Sequence, residues 1–272
     1  MTQSFGQRLR AELKEMLHEQ SEYRGLLFQI TMRDLLLRYK QTVMGVGWAV
    51  FMPLVNTAVF SIIFTKVTQL DTGGVPYPAF AFCGLLAWNF LASSLRFSAI
   101  SLTSNPTLVT KVYFPREIFP FSAVLVGLVD FFVASAVMVA LMAYYGIGVS
   151  WTLALLPVVF LTHVAFTTAC ALMLAMGNLF YRDVKYIFEI VLTIWMFATS
   201  VVYPVSIVTG KLAAFLALNP MTAIIDAYRD VLLYHRIPEA VPFCSAMAAS
   251  FALFGVAWLV FHRAEFAFAE NI

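Results

Sequence analysis

Polar and apolar positions divide the chain into two amphipathic stretches followed by a series of long apolar runs. From residue 1 to about residue 23, Phe5, Leu9, Leu13, Met16 and Leu17 recur at helical spacing among polar residues, which predicts a surface helix. A second amphipathic helix is predicted from Leu26 to Gln41, with Thr31, Asp34, Arg38 and Gln41 on one face. Its leucines and Ile30 suit a lipid headgroup region, while Arg24, Arg33, Arg38 and Lys40 suit anionic lipid or a partner. Past Lys40 the pattern changes: no charge occurs from Gly45 to Phe64, and about 20 apolar residues at 1.5 Å rise cross the hydrocarbon of a bilayer. The stretch from Arg33 to Phe64, where a cationic helix meets a membrane span, is the feature around which the rest is arranged.

The apolar runs predict six spans at about 45–65, 79–101, 117–145, 152–178, 186–203 and 242–262. Six crossings place both termini on one side. That side carries Arg8, Arg10, Lys14, Arg24, Arg33, Arg38, Lys40, Lys111, Arg116, Arg182, Lys185 and Arg263, with Arg96 close to it. The other side carries Lys66, Lys211, Arg229 and Arg236. The positive-inside rule makes both termini cytoplasmic, and a polar, Arg-containing start without an apolar h-region or small-residue cleavage site predicts no secretory signal.

The connections differ in kind. The outer ones after spans 1 and 3 are short. The region 204–236 instead reads as two half-helices, Lys211 to Leu218 and Met221 to Tyr234, split by Asn219-Pro220. Ile224, Ile225, Tyr228, Val231 and Leu232 give the second an apolar face. Such segments are too short to span and are expected to be re-entrant or interfacial, buried in protein or beside a water-filled cavity. On the cytoplasmic side, Ser104 to Pro120 holds a turn or two of helix bounded by Asn105-Pro106 and Phe114-Pro115. It presents Lys111, Arg116 and Glu117 to a soluble partner.

Composition agrees with a polytopic membrane protein: 61% of the 272 residues are hydrophobic and only 12% charged, against roughly 25% in soluble domains. Candidate chemistry is sparse. Cys83, Cys170 and Cys244 lie in apolar runs without metal-ligand or redox spacing and read as small buried hydrophobes. His18, His163, His235 and His262 are scattered, so no metal or haem site is expected. Asp130 sits mid-span, and Arg96 and Glu189 lie near cytoplasmic span ends. No paired carboxylates recur within the spans, so no catalytic residues are assigned. Asp226 and Asp230 share a helix face with Arg229 adjacent, which reads as structural or as part of an outer mouth. A P-loop is missing: around Gly210-Lys211, Val205 and Leu212 occupy the places of the first glycine and of the Ser/Thr. Any ATP-driven transport must therefore draw on a partner. The aromatic residues, 15% of the chain, form an interfacial belt or line a conduit for sugar rings.

Four stretches carry a family resemblance: RDLLLRYKQTVMGVGWAVFMPL, NPTLVTKVYFPREIFP, NLFYRDVKYIFEIVLTIWMFATSVVYP and LNPMTAIIDAYRDVLL. In this order and spacing the chain resembles the permease subunits of ABC-2 type exporters, most closely those that export lipid-linked polysaccharide: O-antigen, capsule or teichoic acid. The resemblance implies an all-α polytopic fold, with cytoplasmic interface helices at 1–44 and a transmembrane domain at 45–272. Within that domain it implies a coupling region at 104–117 and a re-entrant pair at 204–236.

It also implies that Arg33, Asp34, Lys40, Asn105, Lys111, Tyr113, Arg116, Glu117, Arg182 and Asp183 couple to an ATPase. Arg38, Trp48, Phe51, Trp88, Trp195, Tyr203 and Tyr228 would border the substrate entry or conduit. The implied assembly is a homodimer with two P-loop nucleotide-binding subunits in the inner membrane of a bacterium. ATP and Mg would be held by those subunits, so this chain would need no cofactor. A polyprenyl-diphosphate-linked polysaccharide would be the substrate, with membrane lipid but no nucleic acid as further partners. Arg38 and Lys40 would receive the diphosphate. A drug or lipid exporter of the same architecture and an ATPase-independent carrier are the alternatives, and the residues from Arg33 to Pro53 favour polysaccharide over the former.

Overall fold

The computed structural model describes residues 5–67, 70–205, 208, 210 and 216–268; of these, the side chains of 5–13, 66 and 67 are left out. Two helices come first, α1 (Phe5–Glu22) and α2 (Arg24–Tyr39). The chain then turns through left-handed backbone at Gln41 (φ 61°) and Gly45 (φ 54°) into α3 (Gly47–Ile62), which ends in a π-helical turn over Ile63–Val67. Next come α4 (Tyr77–Ser101), the short α5 (Pro106–Lys111) and α6 (Ile118–Tyr144). A 3-10 turn (Trp151–Leu155) leads into α7 (Leu156–Phe180). The chain finishes with α8 (Val184–Phe197), α9 (Pro220–Leu232), α10 (Ala240–Ala264) and a 3-10 turn over Glu265–Ala267. No strand occurs among the described residues.

Among the described residues five helices are long and apolar enough to cross a membrane: Gly47–Thr65, Tyr77–Ser101, Ile118–Tyr144, Trp151–Phe180 and Ala240–Ala267. They correspond to five of the six expected spans. The run expected to span at 186–203 contains only the 14-residue α8, about 21 Å long at 1.5 Å per residue and short of the roughly 30 Å of hydrocarbon. Past Phe197 the carbonyls of Ala198, Ser200 and Val201 and the Thr199 hydroxyl bond to side chains outside the helix. Asn219 donates to Ala198 O (3.2 Å) and Thr199 Oγ1 (2.8 Å), and Arg229 takes the carbonyls of Ser200 and Val201 at 2.6 and 2.7 Å. Residues 185–202 nevertheless run the length of α4. At one end Asn178 links Lys185 N to Ala99 O, and at the other Tyr77 donates to Val202 O at 2.7 Å.

The hub is α4. Of its most apolar stretch 83% is buried, against 11% for the first span and 17% for the last. It touches α3, α6, α7, α8 and α9, while α7 packs on α10 and α2 lies along α6. Small residues permit this crowding by letting backbones approach: Ala79, Ala81, Gly84, Ala87, Ala92, Ser94, Ser98 and Ala99 are all buried. A Cβ on Gly84 would stand 2.1 Å from Val201 O, and one on Gly127 of α6 would stand 2.2 Å from Ser94 Oγ. Among the described residues the three cysteines are free. Cys83 is buried in the hub as expected, whereas Cys244 faces outward on the sparsely covered α10, so it is not a core residue.

The expected second half-helix is α9. Asn219 caps it by accepting from Met221 N at 3.1 Å, and Pro220 occupies the first turn, where a missing N–H costs nothing. Its apolar face is buried as the sequence implies, with Ile224, Ile225, Tyr228 and Val231 all packed among α4, α7 and the 3-10 turn, where Thr152 donates to Val231 O at 3.0 Å. Residues 211–215 of the first half-helix lie outside the described residues, as does the side-chain face of Phe5, Leu9 and Leu13 in α1.

Candidate functional site

At the end of the bundle that carries α5, the chain leaves α4 through Asn105, whose side chain donates to Ser101 O at 2.8 Å. It makes the six-residue helix α5, and Lys111, Val112 and Tyr113 are then left exposed, Tyr113 at 80%. What holds this protrusion is the residue pair after it. Arg116 donates to the last turns of α5 through Val109 O (3.3 and 3.2 Å) and forms an ion pair with Glu265 at 3.0 Å. Its backbone N–H also donates to Glu265 Oε2. Glu117, only 1% exposed, accepts from His262 Nδ1 at 2.9 Å. Sequence reasoning assigned Arg116 and Glu117 to a partner. The structure turns both side chains inward onto α10 and the turn after it, and Lys111 and Tyr113 remain the outward pair.

One Nδ1 of His262 and one oxygen each of Glu117 and Glu265 lie within 4.8 Å of one another, a spacing that a divalent ion could bridge. Arg116 already neutralises Glu265, and the imidazole already serves Glu117, so the arrangement reads as an ion-pair network. His262 and Glu265 carried no signal in the sequence, because their partners are about 150 positions away in the chain.

A second constellation lies along α2. Arg33 and Asp34 form an ion pair at 2.8 Å, and Ser122 of α6 donates to the other Asp34 oxygen at 3.0 Å. One turn further on, Arg38 meets Asp130 at 2.6 Å and Tyr39 donates to the same carboxylate. Arg38 also lies 4.3 Å over the ring of Phe97. Burial, then the hydrogen bond and charge of Asp130, push the Tyr39 phenol above its ordinary range. Asp130 lies 12 residues into α6 from Ile118, about 18 Å along its axis, so α2 reaches well down the flank of the span. The isolated mid-span acid is thereby explained as the anchor of α2. A cleft of about 390 Å³ between α2, α4 and α6 collects four of the predicted residues, Arg33, Asp34, Arg38 and Asn105. Lys40, the C-cap of α2, is exposed and does not border this cleft. Arg182 and Asp183 lie on the surface after α7, away from this cleft.

The aromatic candidates divide. Trp48 and Phe51 meet edge to face at 5.6 Å and are exposed on α3. Trp88 is buried, with Trp195 edge-on at 5.8 Å, and Trp195 donates to Asn219 Oδ1 at 3.3 Å. Tyr228 is buried, its hydroxyl 3.4 Å from His163 Nδ1. Tyr203 donates to Phe197 O at 2.7 Å.

At the opposite end of the bundle, Arg229 is the residue that sequence reasoning undervalued. It is 1% exposed, holds Ser200 O and Val201 O in a fork, lies 3.2 Å from Asp226 and stacks 3.6 Å over Phe80. Beside it a cavity of about 520 Å³ is bordered by Asp71, Asp226, Asp230, Arg236 and Glu239. Burial pushes the Asp230 carboxyl up from its ordinary value, and its 2.7 Å pair with Arg236 opposes that shift.

An all-helical bundle with five apolar spans among the described residues, a short braced helix between two of them and few buried charges defines a multi-pass membrane protein. The chain belongs to the ABC-2 type transporter family, whose model matches residues 25–233. It is similar to the O-antigen export system permease protein RfbA of Myxococcus xanthus, 34% identical over 259 residues that cover 94% of this chain and 99% of the relative. Two permeases of the same name from Klebsiella pneumoniae are 26% and 28% identical. They cover 90% and 76% of this chain and 94% and 80% of their own lengths.

Proposed function

We propose that this chain is the membrane-spanning subunit of an ATP-driven exporter of lipid-linked polysaccharide of the O-antigen kind, working as a homodimer with two nucleotide-binding subunits in a bacterial inner membrane. The observation that carries the reading is the near end-to-end similarity to an O-antigen export permease, 94% of this chain against 99% of that relative. The geometry supports it. Lys111 and Tyr113 stand out from a braced protrusion, the shape a soluble ATPase would push against. In this reading the path from Lys185 to Val202 beside α4 is a sixth crossing, made of α8 and the turn after it, so that both termini are cytoplasmic and α9 is re-entrant from outside. Burial of α9 on several sides supports that placement, since backbone at membrane depth must be enclosed by protein. ATP and Mg belong to the partner.

The substrate path lies on the exposed face of α3, where Trp48 and Phe51 present flat rings to sugars. Since Arg38 is paired with Asp130 and Arg33 with Asp34, the exposed Lys40 at the end of α2 is the cation that would meet the diphosphate. Deleting the chain from its native cell tests the function. The expected result is loss of surface polysaccharide with lipid-linked polymer retained inside, both reversed by the restored gene. Unchanged surface polymer would overturn it.

A further inference from the structure

The family match ends at residue 233, yet the coupling segment is tied to residues beyond it. Arg116 joins three things at once: two of its nitrogens donate to Val109 O in α5, a third pairs with Glu265 Oε1, and its own backbone N–H donates to Glu265 Oε2. One residue on, Glu117 is buried against His262 of α10. Both contacts tie the segment between α5 and α6 to the far end of the last span, the first of them reaching α5 through Arg116, and both are charge-assisted and largely shielded from solvent, Arg116 and Glu265 at 12% and 11% side-chain exposure. Around them Val109, Phe114, Ile118, Phe261 and Phe268 form one buried apolar cluster.

We propose that Glu265 and His262 are positioning residues of coupling: they tie α10 and the turn after it to Arg116 and Glu117 and, through Arg116, to α5, so that a displacement imposed on α5 by the ATPase moves the last span with it. The proposal rests on the exporter reading above. A six-residue helix held only by its own turns would bend when pushed. Held at Val109 O by Arg116, which is itself paired with Glu265 in the turn after the 25-residue α10, it acts instead on a long rigid lever. The last span is suited to move, because only 17% of its most apolar stretch is buried within the protomer.

The test uses the purified permease–ATPase complex in vesicles, comparing E265A, E265Q and H262A with the wild type for ATP hydrolysed and for polymer exported per ATP. Glu265→Gln keeps an oxygen that can accept from Arg116, whereas Glu265→Ala removes it. We expect Glu265→Ala and His262→Ala to lower export per ATP at least fivefold at normal abundance, and Glu265→Gln to recover most of the loss. Export and hydrolysis falling in proportion, or an unchanged ratio in Glu265→Ala, would overturn the lever. If no ATPase accompanies the wild-type permease, the exporter reading fails instead. A thermal-denaturation cycle of R116A, E265A and the double variant then reads the tie by itself: strictly additive shifts would show that α5 and α10 are not locked.

Discussion

Arg229 shows how one buried cation can decide where a helix ends. Its guanidinium supplies the donors that the carbonyls of Ser200 and Val201 would otherwise lack in an apolar interior, and its plane covers Phe80. Arg229→Ala should leave two buried carbonyls unpaired and a void beside Phe80, lowering stability by about 3 kcal/mol or more. Thermal denaturation of the purified protein reads this, and an unchanged midpoint would contradict it. Arg229→Lys should recover only part, since one ammonium cannot reproduce the fork. At this scale the sequence was legible where a residue acts on its neighbours: Asn219 before Pro220 announces a cap, and it is one. It was silent where the partner is remote. Asp226 and Asp230 drew notice as an i,i+4 acid pair, while the cation between them proved to be the buried anchor. Glu265 and His262 had no local pattern to mark them.

Periodicity foretold most elements to within a few residues, because the spans and α9 are long apolar or amphipathic runs whose packing follows their own pattern. The exception is α8, whose apolar sequence continues to Tyr203 although the helix ends at Phe197. Capture by Arg229 of the carbonyls of Ser200 and Val201, which follow the helix, is a tertiary event that no local propensity records. The docking of α2 is another such event, since Asp130 read alone is an unexplained mid-span charge. Because Arg38 retains only 21% side-chain exposure, Asp130→Ala should free the end of α2 and cost about 2–3 kcal/mol, with faster proteolysis near Lys40. Arg38→Ala combined with Asp130→Ala should cost less than Asp130→Ala alone, because the stranded charge is gone. Equal or greater loss in the double variant would show that the pair is not what holds α2.

For the whole molecule, the weight of the fold lies on α4 rather than on the stretch from Arg33 to Phe64 that dominates the sequence pattern. Hydropathy marks what can enter a membrane, and it does not mark which span is enclosed by the others. The small residues of α4 are the trace of that enclosure in the sequence. The least covered spans, the first and the last, leave apolar faces exposed on the protomer, and Lys111 and Tyr113 stay exposed beside the braced α5; the proposed function gives these surfaces to lipid or a second copy and to the ATPase. The family membership and these two surfaces support the proposal of an assembly driven from outside the chain. The most direct test is to extract the protein from its native membrane in mild detergent and determine, with stoichiometry, what co-purifies. The account predicts a P-loop ATPase in equal amount, two copies of each chain per particle. A stable, transport-competent particle containing no nucleotide-binding protein would contradict it.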